Sequence, residues 1–314
     1  EPYRQLISWD WPRYYDAYLV DMSTGQTRQF ATKQQHRPAL SPEAQYAFWY
    51  DRDDRAWFAM DVKKPEVRKI STGIPHPLHN EDHDMPSTPG SYGSSGWTKG
   101  DKGFLINDRH DIWLADPKGK ARPRNLTAGA GRADSLRFRY VRLNTDERSR
   151  DLGKPVLLSA FNYKTKAAGF YRLNSKQGPP ERLVMEDRRF TNPKKAKNAD
   201  RFLLTRSTFE EFPDLCISDP DFKSVRKVTD VNPQQKDYLW GSSELVEWSS
   251  LDGVRLQGIL YKPENFDPNK KYPMIVYFYE RLSRILHWYS RPRAIRSVIV
   301  PSFYTSRDYL VFIP

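Results

Sequence analysis

The sequence predicts a mainly β protein: about five propeller blades, followed by the first strands of an α/β domain. Three observations carry this expectation. A strand–turn–strand unit recurs at intervals of 40 to 58 residues. Helical periodicity is almost absent before residue 280. Two short, continuous apolar runs appear only late, at 274–279 and 310–313. A repeat of this length signals a propeller array, because one small sheet cannot bury both of its faces and stacked sheets can.

The first unit reads Ala17-Tyr18-Leu19-Val20-Asp21, turns at Met22-Ser23-Thr24-Gly25 and closes at Phe30. The second reads Trp57-Phe58-Ala59-Met60-Asp61, turns at 62–65 and closes at Ile70-Ser71. The third reads Ile112-Trp113-Leu114-Ala115-Asp116, turns at 117–120 and closes at Leu126-Thr127. The fourth runs from Gly169 to Asn174, turns at Ser175-Lys176-Gln177-Gly178 and closes at Leu183. The fifth reads Leu215-Cys216-Ile217-Ser218-Asp219, turns at 220–223 and closes at Val228-Thr229. Each strand ends on an anchor: Asp21, Asp61, Asp116, Asn174 or Asp219. In four of the five units the residue three before the anchor is aromatic. A further strand precedes each hairpin, at 7–10, 47–51, 104–108, 156–162 and 202–207, the second launched by the turn Ser41-Pro42-Glu43-Ala44. A β-sandwich with irregular hairpins is the competing reading of the same pattern.

After residue 230 the character changes. The polar stretch 230–235 is a connector, and Ser243-Glu244-Leu245-Val246-Glu247-Trp248 reads as a strand. Asp252-Gly253 marks a hairpin turn, with its partner strand at 256–261. A loop over 263–271 leads to Tyr272-Pro273 and then Met274-Ile275-Val276-Tyr277-Phe278-Tyr279. This run and Leu310-Val311-Phe312-Ile313 resemble strands buried on both faces. Residues 281–307 are mixed, part helix and part loop. A hairpin followed by buried strands is the opening of an α/β sheet, so the domains are expected at 1–242 and 243–314.

Composition narrows the function classes. The chain has 314 residues, 14% of them aromatic, which excludes a disordered chain. Its 51 Lys+Arg against 39 Asp+Glu give a net charge of +12. The basic residues are scattered, as in Lys63-Lys64, Arg122 and Arg124, Lys194-Lys195 and Lys270-Lys271, beside Pro, Gly or Asn in apparent turns. No nucleic-acid partner is expected from that distribution. No apolar run approaches the ~20 residues of a membrane helix, so no membrane span is expected. The lone Cys216 excludes an intrachain disulfide and a cysteine zinc site, and reads as a small core residue. His76, His79 and His83 lie near Glu81, Asp82 and Asp84, but their spacing matches no zinc signature and Pro75, Pro77 and Pro86 mark a loop. Neither metal nor cofactor is expected. The N-terminus, Glu1-Pro2-Tyr3-Arg4, has no initiator Met and no signal pattern, so the sequence reads as part of a longer chain. One cysteine suits a reducing cytoplasm and a periplasm equally; the expectation is a periplasmic or secreted protein rather than a cytoplasmic one.

The segment Trp248-Ser249-Ser250-Leu251-Asp252-Gly253-Val254-Arg255-Leu256-Gln257-Gly258-Ile259-Leu260-Tyr261-Lys262-Pro263, with Lys270-Lys271-Tyr272-Pro273 and the apolar run behind it, resembles the start of the catalytic domain of prolyl oligopeptidase family serine peptidases. The segments 93–98, 110–117 and Phe212-Pro213-Asp214-Leu215 resemble the propeller of the same family, in bacterial acylaminoacyl and dipeptidyl peptidases above all. The resemblance implies a propeller capping an α/β-hydrolase domain, peptide substrates, and acyl transfer through a Ser, His and Asp triad. It also implies that the triad follows Pro314. The chain holds no Gly-x-Ser-x-Gly elbow; Gly93-Ser94-Ser95-Gly96 has the wrong spacing. The 314-residue chain alone is therefore expected to be inactive.

The resemblance assigns Tyr279 to the oxyanion hole, where a hydroxyl donor faces developing negative charge. Glu280-Arg281-Leu282 follow it, where the family usually has small residues. It also suggests that Glu210 and Glu211 bind the free amino group of a substrate, since an ammonium favours paired carboxylates. The alternative is a non-enzymatic propeller that binds a protein or peptide, which would have no need of the apolar strands at 274–279 and 310–313.

Overall fold

Four of the five anchors that punctuate the sequence, Asp21, Asp61, Asp116 and Asp219, act as turn caps in the computed structural model, which describes residues 2–10, 13–174, 178–279, 281–294 and 298–314. Asp21 Oδ1 accepts the backbone N–H groups of Ser23 at 2.8 Å and Thr24 at 3.2 Å. Asp61 accepts those of Lys63 and Lys64 at 2.9 and 3.0 Å. Asp116 accepts from Lys118, Lys120 and Ala121, and Asp219 from Asp221 and Lys223. A short carboxylate that bonds its own chain two to five residues on fixes a tight reversal. Asn162, which no repeat marks, does the same for Lys164 and Thr165. Ser175, Lys176, Gln177 and Glu280 lie outside the described residues.

These turns join neighbouring strands within small sheets. Strands β1 (Tyr15–Val20) and β2 (Thr27–Gln34) form an antiparallel pair. The second sheet holds β3 (Ala39–Leu40), β4 (Tyr46–Asp51), β5 (Ala56–Asp61) and β6 (Val67–Lys69). The third holds β7 (Ser94–Trp97), β8 (Phe104–Asn107), β9 (Ile112–Ala115) and β10 (Arg124–Asn125). The fourth holds β11 (Leu136–Tyr140), β12 (Val156–Asn162), β13 (Ala168–Leu173) and β14 (Glu181–Glu186). The fifth holds β15 (Arg189–Lys195), β16 (Phe202–Ser207), β17 (Asp214–Ser218) and β18 (Arg226–Lys227). Spatial order follows chain order in all four, as in propeller blades.

The sequence pattern marks three strands per blade, and these four sheets have four. The extra first strands carry little signal: β3 is two exposed residues, and β15 contains Pro193 and two lysines. Lys194 and Lys195, expected in a turn, pair with Leu203 and Phe202. The strand expected at 7–10 is instead a 3-10 turn over Arg4–Ser8. Trp9 and Asp10 donate their N–H groups back to Leu6 O at 3.0 and 2.8 Å, so this backbone is bonded locally.

Two blades are closed by the same side-chain clasp. Fully buried Asp111 accepts the Thr127 hydroxyl at 2.5 Å, and Thr127 Oγ1 accepts Ile112 N–H at 3.3 Å. In the fifth sheet Asp214 accepts the Thr229 hydroxyl at 2.6 Å, and Thr229 Oγ1 accepts Leu215 N–H at 3.0 Å. Each clasp ties the third strand to the residue just past the fourth, where a two-residue strand alone would fray.

The chain divides into two compact units, Glu1–Leu158 with Arg172–Glu181, and Ser159–Tyr171 with Arg182–Pro314. The first is centred on an aromatic cluster of Tyr46, Tyr50, Trp57, Trp97, Phe104 and Trp113. In the second, Phe222 stacks on Phe170 and Phe202 with ring centroids 4.7 and 5.2 Å apart.

The sixth sheet differs in kind. Strands β19 (Ser242–Ser249) and β20 (Arg255–Lys262) form the expected hairpin, with Gly253 at φ 83 in its turn. Then come β21 (Met274–Val276) and β22 (Leu310–Ile313), ordered β19-β20-β22-β21. β22 runs antiparallel to β20 and parallel to β21. Val311 and Ile313 are buried with Ile259 and Tyr261, as an inner strand requires. The run 274–279 departs from expectation. Only its first three residues form a strand, and Met274 and Val276 are half exposed. β21 pairs on one side only among the described residues, so it is an edge rather than a buried strand.

Candidate functional site

Tyr279 lies just beyond β21. Tyr277 N–H still reaches Phe312 O at 2.9 Å, after which the chain leaves the sheet. The Tyr279 side chain is 67% exposed and borders a cavity of about 1090 Å³. Tyr261, Tyr277, Trp288, Tyr289 and Ile313 line the same space.

Glu210 and Glu211 follow β16, in a turn closed by Thr208, whose Oγ1 accepts both of their N–H groups at 3.1 and 2.9 Å. Both border a second cavity of about 710 Å³, with Arg206, Asp214, Lys227, Trp240 and Glu264. The two carboxylates have different surroundings. Glu211 forms an ion pair with Arg188. Burial pushes the Glu210 carboxyl above the usual range; a hydrogen bond from Ser243 N–H opposes the shift, and the charges of Glu211 and Glu264 add to it. Glu211 is thus committed to Arg188, while Glu210 and Glu264 line the cavity together with Asp214, Asp230, Arg206, Lys227 and Lys236. Glu264 itself accepts Trp240 N–H at 2.9 Å.

The predicted residues thus fall in two cavities. The rings between them belong to residues that sequence reasoning did not single out. Tyr289, which lines the Tyr279 cavity, stacks on Trp240 with centroids 5.1 Å apart. Its hydroxyl donates to Gln235 Oε1 at 3.0 Å and accepts from Asn232 Nδ2 at 3.1 Å. Gln235 in turn donates to Glu210 O at 2.7 Å. Arg188, Glu264 and Tyr289 carry no local motif; only the fold brings them to these positions.

Cys216 is 1% exposed and burial pushes its thiol up, as for an inert core residue. In the histidine loop, His83 Nε2 donates to Ser87 O at 2.8 Å. No group of three metal-ligating side chains is assembled among the described residues.

No protein-family model and no curated relative matches the chain. Solved structures do. The chain aligns with Porphyromonas gingivalis dipeptidyl peptidase 4 at TM-score 0.63 and 14% identity, over 95% of this chain and 41% of that one. It aligns with a post-proline cleaving enzyme from Rickettsia typhi at TM-score 0.54 and 12% identity, over 96% and 43%. With Pyrococcus horikoshii acylaminoacyl peptidase the values are 0.51 and 13%, over 97% and 45%. The chain has the fold of these peptidases. They are members of the prolyl oligopeptidase family, the one the sequence resembles. This peptidase fold is mainly β, with blades followed by the mixed sheet β19–β22. The chain spans less than half the length of each of these structures. No helix is long and apolar enough to cross a membrane among the described residues.

Proposed function

We propose that the chain is the propeller, residues 1–242, and the opening of the catalytic domain, residues 243–314, of a serine peptidase of the prolyl oligopeptidase family. The whole protein cleaves short peptides by acyl transfer, and the propeller governs which substrates reach the serine. The observation that carries this reading is the β19–β22 sheet directly after the blades. A propeller that only binds partners has no use for a mixed sheet with a parallel pair, whereas an α/β-hydrolase sheet begins this way.

In this reading Tyr279 donates to the oxyanion of the tetrahedral intermediate. Glu210 receives the substrate's amino group, with Glu211 held beside it by Arg188. The serine, histidine and aspartate belong to the part of the protein beyond Pro314, and the protein works in the periplasm or outside the cell. The test is labelling of the full-length gene product by a serine-directed fluorophosphonate, alongside hydrolysis of a fluorogenic aminoacyl or prolyl substrate. We expect labelling and turnover for the full-length product and neither for the 314-residue chain. Turnover by this chain alone, or an unlabelled full-length product, would overturn the reading.

A further inference from the structure

The first unit contains a cavity that this chemistry does not use. Its volume is about 320 Å³, and Ser94, Asn107, Arg139, Tyr140, Arg142 and Arg150 are among its lining residues. Three arginines thus line one space, and among the described residues no Asp or Glu is one of its lining residues.

The guanidiniums are held in place by the backbone. Arg139 donates to Phe138 O at 2.6 Å and Asp108 O at 2.9 Å. Arg150 Nε donates to Ser95 O at 2.9 Å, and the group lies over the Tyr140 ring, 4.6 Å from its centroid. Arg142 Nε donates to Asn144 O at 3.1 Å, and a second Arg142 nitrogen donates to Thr145 O. Carbonyl acceptors fix a guanidinium without cancelling its charge. Glu147 meets Arg150 at 3.9 Å and accepts the Tyr140 hydroxyl at 2.7 Å, but it is not a lining residue. Asn107 is 3% exposed; its Oδ1 accepts the Ser95 hydroxyl at 2.8 Å, which leaves its amide N–H groups as donors.

Arginine and amide donors held in place around a space with no lining acid suit a planar or tetrahedral oxyanion. We propose that this cavity binds a small oxyanion, a carboxylate or a phosphate group. Arg142 supplies the principal charge, and Arg139, Arg150 and Asn107 shape the site. The site goes beyond the peptidase reading and stands independently of it.

The test is calorimetric titration of the 314-residue chain at constant ionic strength. The probes are inorganic phosphate, N-acetylglycine, and N-acetylglycinamide as the uncharged control. We expect saturable binding of at least one anion at one site per chain, and none of the amide; the two anion arms show whether phosphate or carboxylate is preferred. Arg142→Gln should weaken binding roughly tenfold or more, the loss expected for a charge-assisted hydrogen bond. Lys271→Gln removes the same charge from an exposed position in the other unit and should leave binding unchanged. The saturating anion should also protect Arg142 of the unmodified chain from phenylglyoxal, a readout that does not depend on the variant folding. Absence of saturable anion binding, an equal loss in both variants, or no protection of Arg142 overturns the proposal.

Discussion

Asp111→Ala tests how a blade is closed. The Asp111 carboxylate is fully buried and accepts three hydrogen bonds: Thr127 Oγ1 at 2.5 Å, Gly131 N at 3.0 Å and Arg132 N at 3.2 Å. Truncation leaves all three donors without their acceptor. Thr127 and Gly131 are themselves buried, so water cannot replace it there. A buried donor left unsatisfied costs about 1–3 kcal/mol. The Thr127 hydroxyl can turn toward Asn125 Oδ1, 3.0 Å away, and recover part of its loss. The expected total is about 3–5 kcal/mol. Asp111→Asn keeps one oxygen where Thr127 and Gly131 donate and sets an NH2 against Arg132 N–H, so it should cost about 1–2 kcal/mol. Urea unfolding followed by tryptophan fluorescence measures both, read as midpoint shifts at unchanged slope. A loss below about 1 kcal/mol for Asp111→Ala, or equal losses for the two variants, would refute the clasp as the element that closes the blade.

Burial holds His287 below the ordinary histidine range, with Asp187 opposing and Arg188 adding to the shift; burial also depresses His36, with Arg52 adding to it. Because the folded values are depressed, the unfolded chain takes up protons first. Their contribution to stability should therefore be level above the ordinary value of about 6.5 and fall as pH drops below it. Urea midpoints at descending pH should show this fall, and His287→Gln should reduce it; an unchanged slope in the variant contradicts the assignment. Gly169→Ala places a Cβ against Val184 O, far inside any contact a real Cβ makes, so the backbones of β13 and β14 must part. We expect a loss of about 3 kcal/mol or more, and a thermal melt matching that of the unsubstituted chain would show that the close approach is not real. In the full-length gene product, Tyr279→Phe should lower kcat by roughly a hundredfold or more with KM little changed. Steady-state kinetics on a fluorogenic substrate decides, and an unchanged kcat removes Tyr279 from the oxyanion hole.

The features legible in the sequence are those whose physics is local. The anchors Asp21, Asp61, Asp116 and Asp219 bond backbone only a few residues away, so their spacing alone exposes the repeat. The clasps were visible in principle: Asp111 and Thr127 lie 16 residues apart, and Asp214 and Thr229 lie 15 apart. The strands β3 and β15 escaped because one is too short for alternation and the other carries a proline and lysines on a partly exposed surface. The two late apolar runs look alike as sequence, yet one becomes an inner strand and the other an edge. Composition cannot separate them, because the difference lies in which neighbours each run finds. The Arg188–Glu211 ion pair joins residues 23 apart with no motif between them, so the different roles of Glu210 and Glu211 appear only in three dimensions.

The order β19-β20-β22-β21 bears on how the protein is made. Each blade is assembled from consecutive strands and can close while the ribosome is still extending the chain. The sixth sheet cannot. The registers of Ile259 with Ile313 and of Ile275 with Val311 place β22 between two strands that emerge before it. Until then β20 and β21 have unfilled edges, with Tyr261 and Ile259 lacking the neighbours that later bury them. Such a delay favours capture by a chaperone or pairing with a second nascent chain. The late sheet, rather than the blades, should therefore set the yield of folded protein.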